Sequence, residues 1–210
     1  MVASTVPNVP SAPLRQTAPG FSRALSHPVI AVARNAADFD DALRSPVTAI
    51  ELRAGNLLEL PHMMRRAEEA RKSVFIYPEL IPGLSKDTAG IEFLCDYAKP
   101  FGVVSTKRPI LQKAKSFGLF TIFQIFMIDT QAYETGLLNA AKLDCDAVEI
   151  MPGPLVGIVR GVAAELSKPI ICAGLIKTQG EIESLLEAGA AAVATSRRSL
   201  WFANRIGASA

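Results

Sequence analysis

Histidine, cysteine and tryptophan are scarce in this 210-residue chain, which has two, three and one of them respectively. His27 precedes the first strand-like run and His62 falls in an early helical pattern, so neither stands at a strand end where a general base would be needed. A Ser-His-Asp arrangement therefore has no support. Cys95, Cys145 and Cys172 are odd in number, far apart and without a C-x-x-C pair. That excludes a disulfide framework and a cysteine zinc site, and reads as the reduced thiols of a cytoplasmic protein. No apolar run approaches the roughly twenty residues of a membrane-spanning helix, and none follows a basic start as in a secretory signal. No G-x-G-x-x-G follows the first strand-like run, so the dinucleotide fingerprint is missing. Charge of one sign is also lacking. Twenty-two Lys and Arg against 20 Asp and Glu leave +2, too little for bulk attraction to nucleic acid, so any such contact must be local.

Half of the residues are apolar and a fifth are charged, an ordinary globular composition with enough apolar material for one well-buried core. The first 26 residues stand apart. They carry Pro7, Pro10, Pro13 and Pro19 among Ser, Ala and Thr, with Arg15 and Arg23, no acid and no apolar periodicity. A disordered tail is expected there, with residues 204–210 as a second, shorter tail. From residue 27 to 203 the chain alternates. Apolar β-rich runs at Val29 to Arg34, Ala49 to Ala54, Val74 to Leu80, Gly102 to Thr106, Phe120 to Phe126, Ala147 to Pro152, Pro169 to Gly174 and Ala191 to Ser196 number eight. Helical patterns separate them, among them Leu60 to Lys72, Thr88 to Ala98, Pro109 to Phe117, Thr130 to Ala141, Leu155 to Leu166 and Gln179 to Glu187. Strand followed by helix throughout implies parallel pairing with right-handed crossovers. Eight such units predict a compact TIM-type (β/α)8 barrel, the rival being an open doubly wound sheet.

Two strand ends carry most of the chemistry. AGLIKT at 173–178 and AVATSRRSLW at 192–201 each stop at Gly, Thr or Ser and then present cations beside a helix start. Backbone N–H groups in such turns suit a phosphate, and barrels of this kind build their phosphate site after strands seven and eight. Strand parity turns Glu149 inward, because Val148 and Ile150 share the other face; likewise Glu51 and Arg53 face in while Ile50 and Leu52 face out. Arg34 and Lys107, ending the first and fourth strands, are the expected partners of these acids. The alternative is an internal ion-pair network without a ligand. Glu79, Asp129 and Glu149 could hold magnesium, but nothing in their spacing requires it. Lys107, Arg108, Lys113 and Lys115 form a stretch without an acid, where an RNA backbone could rest, while Phe117 and Phe120 nearby read as core. A small phosphosugar isomerase, aldolase or epimerase would use Glu149 or Glu51 as base and Lys107 or Lys177 as electrophile.

The ordered series HPVIAVARN (27–35), PELIPGL (78–84), STKRPIL (105–111), FMIDTQAYETG (126–136), DAVEIMPG (146–153), AGLIKT and ATSRRSLW (194–201) resembles the glycerol-3-phosphate responsive antiterminator family. The resemblance runs from His27 to about Trp201. It implies a regulator rather than an enzyme, with no cofactor, metal or catalytic residue. Such a regulator binds glycerol 3-phosphate or a similar small phosphate, and then the leader mRNA of glycerol-utilisation genes so that a terminator does not form. It further implies that Gly174, Leu175, Ile176, Lys177, Thr195, Ser196 and Arg197 hold the phosphate. Arg34, Glu51, Glu79, Lys107, Gln124 and Glu149 then line the rest of the pocket, and a homo-oligomer is compatible with the pattern. Two strand ends depart from it. Tyr77, Pro78, Glu79 and Leu80 stand where the family usually has a His-Val-Asp-Leu type sequence, and Phe123-Gln124 where it has Gln-Arg. Loss of that arginine removes a fixed cation and its bidentate geometry from the rim.

Overall fold

Eight parallel strands close on themselves in sequence order: β1 (Val29–Ala33), β2 (Ala49–Leu52), β3 (Ser73–Ile76), β4 (Gly102–Ser105), β5 (Phe120–Phe126), β6 (Ala147–Met151), β7 (Ile170–Ala173) and β8 (Ala192–Thr195). The computed structural model describes residues 19–202. β8 pairs with β1 through Val29 opposite Val193 and Ala31 opposite Thr195, so no sheet edge is left. Around the barrel lie α1 (Pro19–Ala24), α2 (Ala36–Arg44), α3 (Leu60–Glu69), α4 (Thr88–Phe93), α5 (Arg108–Ser116), α6 (Thr130–Lys142), α7 (Val156–Glu165), α8 (Gln179–Glu187) and α9 (Arg198–Trp201). This is the TIM-type barrel that the alternation predicts.

The sequence makes two apolar layers. β1 reads VIAVA with every residue buried, as a strand covered on both faces requires. Val29, Ala31 and Ala33 join the outer core beneath the helices, while Ile30 and Val32 belong to the lumen cluster. The same parity puts Ile50, Leu52, Val148 and Ile150 outside and leaves Glu51 and Glu149 within.

The N-terminal end of the lumen is plugged by aromatic rings. Phe21 packs edge-on against Phe75 with centroids 5.9 Å apart, Phe75 against Phe101 at 5.4 Å, and Phe101 stacks on Phe120 at 4.6 Å. Phe21 comes from α1, which shortens the expected disordered tail: residues 19–24 are helical, with Phe21 and Ala24 both 1% exposed. Their three-residue spacing puts both on one helix face, and burial of a phenylalanine contributes about 1.5–3 kcal/mol. Residues 1–18 and 203–210 of the expected tails lie outside the described residues.

Two other expectations change. The third strand ends at Ile76 instead of Leu80, because Pro78 has no N–H for a ladder and starts a 3-10 turn, Pro78–Leu80. α4 runs into a π turn at Leu94–Ala98, closed by the left-handed Lys99. α2 was not foreseen. Its Asn35 caps it by accepting from the Asp38 amide at 2.8 Å. Trp201 of α9 is wholly buried and donates from Nε1 to the Thr195 carbonyl at 2.7 Å, which anchors the last helix to the last strand.

Candidate ligand-binding site

The C-terminal mouth of the barrel divides into two arcs. The first lies on β2 to β6 and is made of side chains. Arg53 donates from Nη2 to Glu51 Oε2 at 2.8 Å and lies 3.6 Å from Glu149 Oε1. Gln124 reaches across the lumen, with Nε2 donating to Glu149 and Oε1 accepting from the Tyr77 hydroxyl at 2.7 Å. The Arg53 guanidinium sits 5.6 Å from the centre of the Tyr77 ring. Beside them the Ser105 hydroxyl donates to Glu79 and accepts from the Lys107 amide at 3.0 Å.

One guanidinium thus faces two buried carboxylates. Burial is the largest influence on Glu149 and drives its pKa well above the carboxylate range. The neighbouring Glu51 adds to this, and Arg53 and Gln124 oppose it. The two acids thus compete for the one guanidinium, and of the pair it is Glu149 whose charged form burial disfavours. Burial would lower the Arg53 pKa, but attraction to Glu51 and Glu149 more than offsets that and raises it. The Tyr77 phenol is pushed up to about 12, first by burial and then by Glu79. Among the described residues, three buried polar atoms here have no hydrogen-bond partner: Glu51 Oε1, Arg53 Nε and Glu79 Oε2.

The second arc, β7–β8–β1, is made largely of backbone. Gly174 and Leu175 are both left-handed, with φ of 76° and 61°, and turn the chain sharply at the end of β7. A Cβ at 174 would come 2.7 Å from the mobile end of Met151, which could shift aside, so it is the backbone angle that calls for glycine there. Ile176 is buried, and the Thr195 hydroxyl donates to its carbonyl at 3.4 Å while accepting from the Arg197 amide at 3.2 Å. The two loops are therefore stitched through Thr195. At the start of α8, the N–H groups of Lys177 and Thr178 are taken by Glu181 Oε2 at 2.6 and 3.0 Å, in a capping box with Thr178. The two N–H groups just ahead of α8 are thus already taken by an internal carboxylate, which the sequence reading did not anticipate. The Lys177 and Arg197 side chains are exposed at the rim.

Arg34 belongs to this second arc and not, as expected, to the buried acids. Its backbone N and Nε donate to Asp38 Oδ2 at 3.1 and 3.2 Å. Asp38 is 1% exposed and also accepts from Arg198 Nε at 2.7 Å, a contact between residues 160 apart. Burial pushes the Asp38 pKa up, but the Arg34 amide and Arg198 more than offset it and hold it below the usual range. Lys107 does not pair with the lumen acids either; its side chain is exposed, and Arg53 takes the role expected of it and Arg34.

Elsewhere, neighbours in space differ from neighbours in sequence. Lys113 pairs with Glu92 at 2.7 Å and stacks on Phe117, and Lys115 pairs with Asp146 at 2.6 Å, so the stretch without acids is not a patch without acids. Arg108 bonds Asn139 at 3.3 Å. Phe117 is 45% exposed and no core residue, whereas Phe120 does join the plug. Of the three acids weighed for magnesium, Asp129 caps α6 through the Ala132 amide at 2.7 Å. Sequence reasoning named Tyr77 only as a departing strand end, not as a lumen side chain, and missed Ser105 and Asp38. Parity with Phe75 could have found Tyr77, and the Asn-x-x-Asp spacing of a capped helix could have found Asp38.

The glycerol-3-phosphate responsive antiterminator family model matches residues 29–201, nearly the whole barrel. The chain belongs to that family. It is 31% identical to the glycerol uptake operon antiterminator regulatory protein of Listeria monocytogenes str. 4b F2365, whose crystal structure superposes with a TM-score of 0.79 over 82% of this chain and 94% of that one. A glycerol uptake operon antiterminator-related protein from Thermotoga maritima is 25% identical, with a TM-score of 0.73 over 82% and 96%. The uncharacterized protein YgcP of Escherichia coli K12 is 27% identical over 83% of this chain and 92% of its own length. The third and fifth strand ends singled out in the sequence meet here: Tyr77 and Gln124 hydrogen-bond each other inside the side-chain arc.

Proposed function

We propose that this family member is a transcription antiterminator whose barrel takes glycerol 3-phosphate in the C-terminal mouth and, when loaded, binds leader mRNA. The phosphate would lie on the β7–β8–β1 arc, against the left-handed turn at Gly174 and Leu175 and the cations Lys177, Arg197 and Arg34. The glycerol hydroxyls would reach the side-chain arc. One observation carries this reading: Glu51 Oε1, Arg53 Nε and Glu79 Oε2 are buried, unpartnered among the described residues and on the β2–β3 side of the same lumen. Burial of a polar atom without a partner costs about 1–3 kcal/mol, so two acceptors and a donor left unsatisfied fit a polyol that supplies their complements. Residues 27–203, together with α1, would form the ligand- and RNA-binding unit.

The rival reading, a phosphosugar isomerase, aldolase or epimerase, has one observation in its favour: a buried carboxyl with a raised pKa is a common feature of catalytic sites. Both candidate electrophiles, Lys107 and Lys177, are exposed, however, whereas a Schiff-base lysine is activated by desolvation. Isothermal calorimetry with glycerol 3-phosphate, glycerol and inorganic phosphate tests the proposal. Binding of glycerol 3-phosphate more tightly than either fragment supports it. Turnover of a phosphorylated sugar, lost in Glu149→Gln, would sink it in favour of the enzyme.

A further inference from the structure

A second concave surface lies at the opposite, N-terminal end of the barrel. It is a groove of about 820 Å³ between α1, α3 and the π turn, walled by Gly20, Phe101 and the base of β3. Arg23, Arg65, Arg71 and Lys99 line it, all four exposed, and none has an ion-pair partner among the described residues. Lys72 also lines the groove, but its ammonium is turned away onto the carbonyls of Ser45 and Val47 at 2.6 Å each. Glu68 and Asp96 are the acids of the groove, so the cations outnumber them even with Lys72 set aside. Arg71 and Lys99 hold left-handed backbone, with φ of 57° and 53°, at helix ends where glycine or asparagine is the usual choice. Two cations therefore stand at positions whose backbone favours other residues. Next to them the Tyr97 ring is 65% exposed and lies flat on Phe93, with centroids 4.8 Å apart and planes 24° off parallel.

We propose that this N-terminal groove is the RNA-binding surface of the protein. The inference rests on the antiterminator reading and assigns its RNA contact to a face other than the Lys107–Lys115 stretch, where Lys113 and Lys115 are matched by acids. Unpaired cations along a groove suit a phosphodiester backbone, and an exposed, rigidly backed aromatic ring beside them suits an unstacked base. An acidic protein segment would use the cations but leave that ring without a partner of its own shape.

The test uses the full chain, glycerol 3-phosphate, and an RNA selected from a random-sequence pool against the parent protein. Two double variants probe the groove. Arg65→Glu with Arg71→Glu reverses charge. Arg71→Asn with Lys99→Asn removes two charges with a residue that tolerates left-handed backbone, so folding is preserved. Charge reversal is expected to weaken RNA binding at least thirtyfold. The asparagine pair should weaken it about tenfold and flatten the log–log salt slope by about two, since each lost phosphate contact removes close to one unit. Glycerol 3-phosphate binding, read by calorimetry, stays unchanged in both. Retained RNA binding in these variants, with loss in Lys113→Glu/Lys115→Glu, overturns the groove assignment while the antiterminator reading survives. If the parent selects no RNA in either ligand state, that reading falls and takes the groove with it. Binding of polyglutamate but not RNA, lost in the charge-reversed variant, overturns the assignment in favour of an acidic protein partner.

Discussion

The two arcs of the mouth solve one problem, the holding of polar groups in a closed barrel, by opposite means. On β7–β8–β1 the polar groups are backbone amides and rim cations, arranged by a left-handed turn and by the Thr195 hydroxyl that joins neighbouring loops. On β2–β6 they are side chains from four strands that meet inside the lumen: Glu51 and Arg53, Tyr77, Gln124, and Glu149. The first arrangement is local and open to water, so a lost group there is replaced cheaply by solvent. The second is closed, and each member leaves a buried partner stranded if it is removed.

The comparison breaks first at Arg53. Arg53→Ala should cost about 3–5 kcal/mol in chemical denaturation, because it strands two buried carboxylates. Arg197→Ala on the other arc should change stability by no more than about 0.5 kcal/mol, as exposed surface positions do. Equal losses would erase the distinction.

Ligand binding should sort the arcs in the opposite sense. Arg197→Ala and Lys177→Ala are expected to weaken glycerol 3-phosphate and inorganic phosphate alike, by about tenfold each, the size of one charge-assisted contact. Glu51→Gln should weaken glycerol 3-phosphate but leave inorganic phosphate as it was. Calorimetry on both ligands decides whether the halves read different parts of one molecule.

The buried carboxylates predict pH responses of opposite sign. Glu149 has a raised folded pKa, so its contribution is present in full below the ordinary carboxylate pKa and declines as pH rises toward the raised one. Between the two, the slope reaches about 1.4 kcal/mol per pH unit, and Glu149→Gln should flatten it. Asp38, on the β1–α9 side, has a lowered pKa; its contribution is present above the ordinary carboxylate pKa and is lost on acidification. Denaturant midpoints across pH for the parent, Glu149→Gln and Asp38→Asn check both signs.

A smaller effect concerns the turn itself. Gly174→Ala should cost about 1–2 kcal/mol, from left-handed strain, and weaken phosphate binding along with it. An unchanged melting temperature would mean that the turn is not under the constraint described.

How far the site could be read from the chain follows the same division. AGLIKT and ATSRRSLW advertise the backbone arc because Gly, Thr and helix-start chemistry act over a few residues. Even so, AGLIKT does not show that Glu181, from the first turn of α8, takes the N–H groups of Lys177 and Thr178. On the other arc, parity identified Glu51, Arg53 and Glu149 as lumen residues, but not which cation would serve them. Arg34 and Lys107 looked equally placed at strand ends; Arg34 is held by Asp38 instead, and the Lys107 side chain is exposed. Sequence neighbours misled most at Lys113 and Lys115, whose acids come from Glu92 and Asp146 on other elements.

By itself, the amino-acid order determined the eight strand–helix units, the face each strand residue presents and the turn chemistry of the loops after β7 and β8. All of these depend on two- and four-residue periods and on turn chemistry, which the backbone imposes locally. Only the tertiary structure decided the rest: Asp38 clasping Arg198 across 160 residues, one guanidinium shared by two buried acids, and a basic groove assembled from α1, α3 and the π turn. Charge pairing and concavity depend on distances between atoms that sequence separation does not constrain, so they exist only once the barrel has closed.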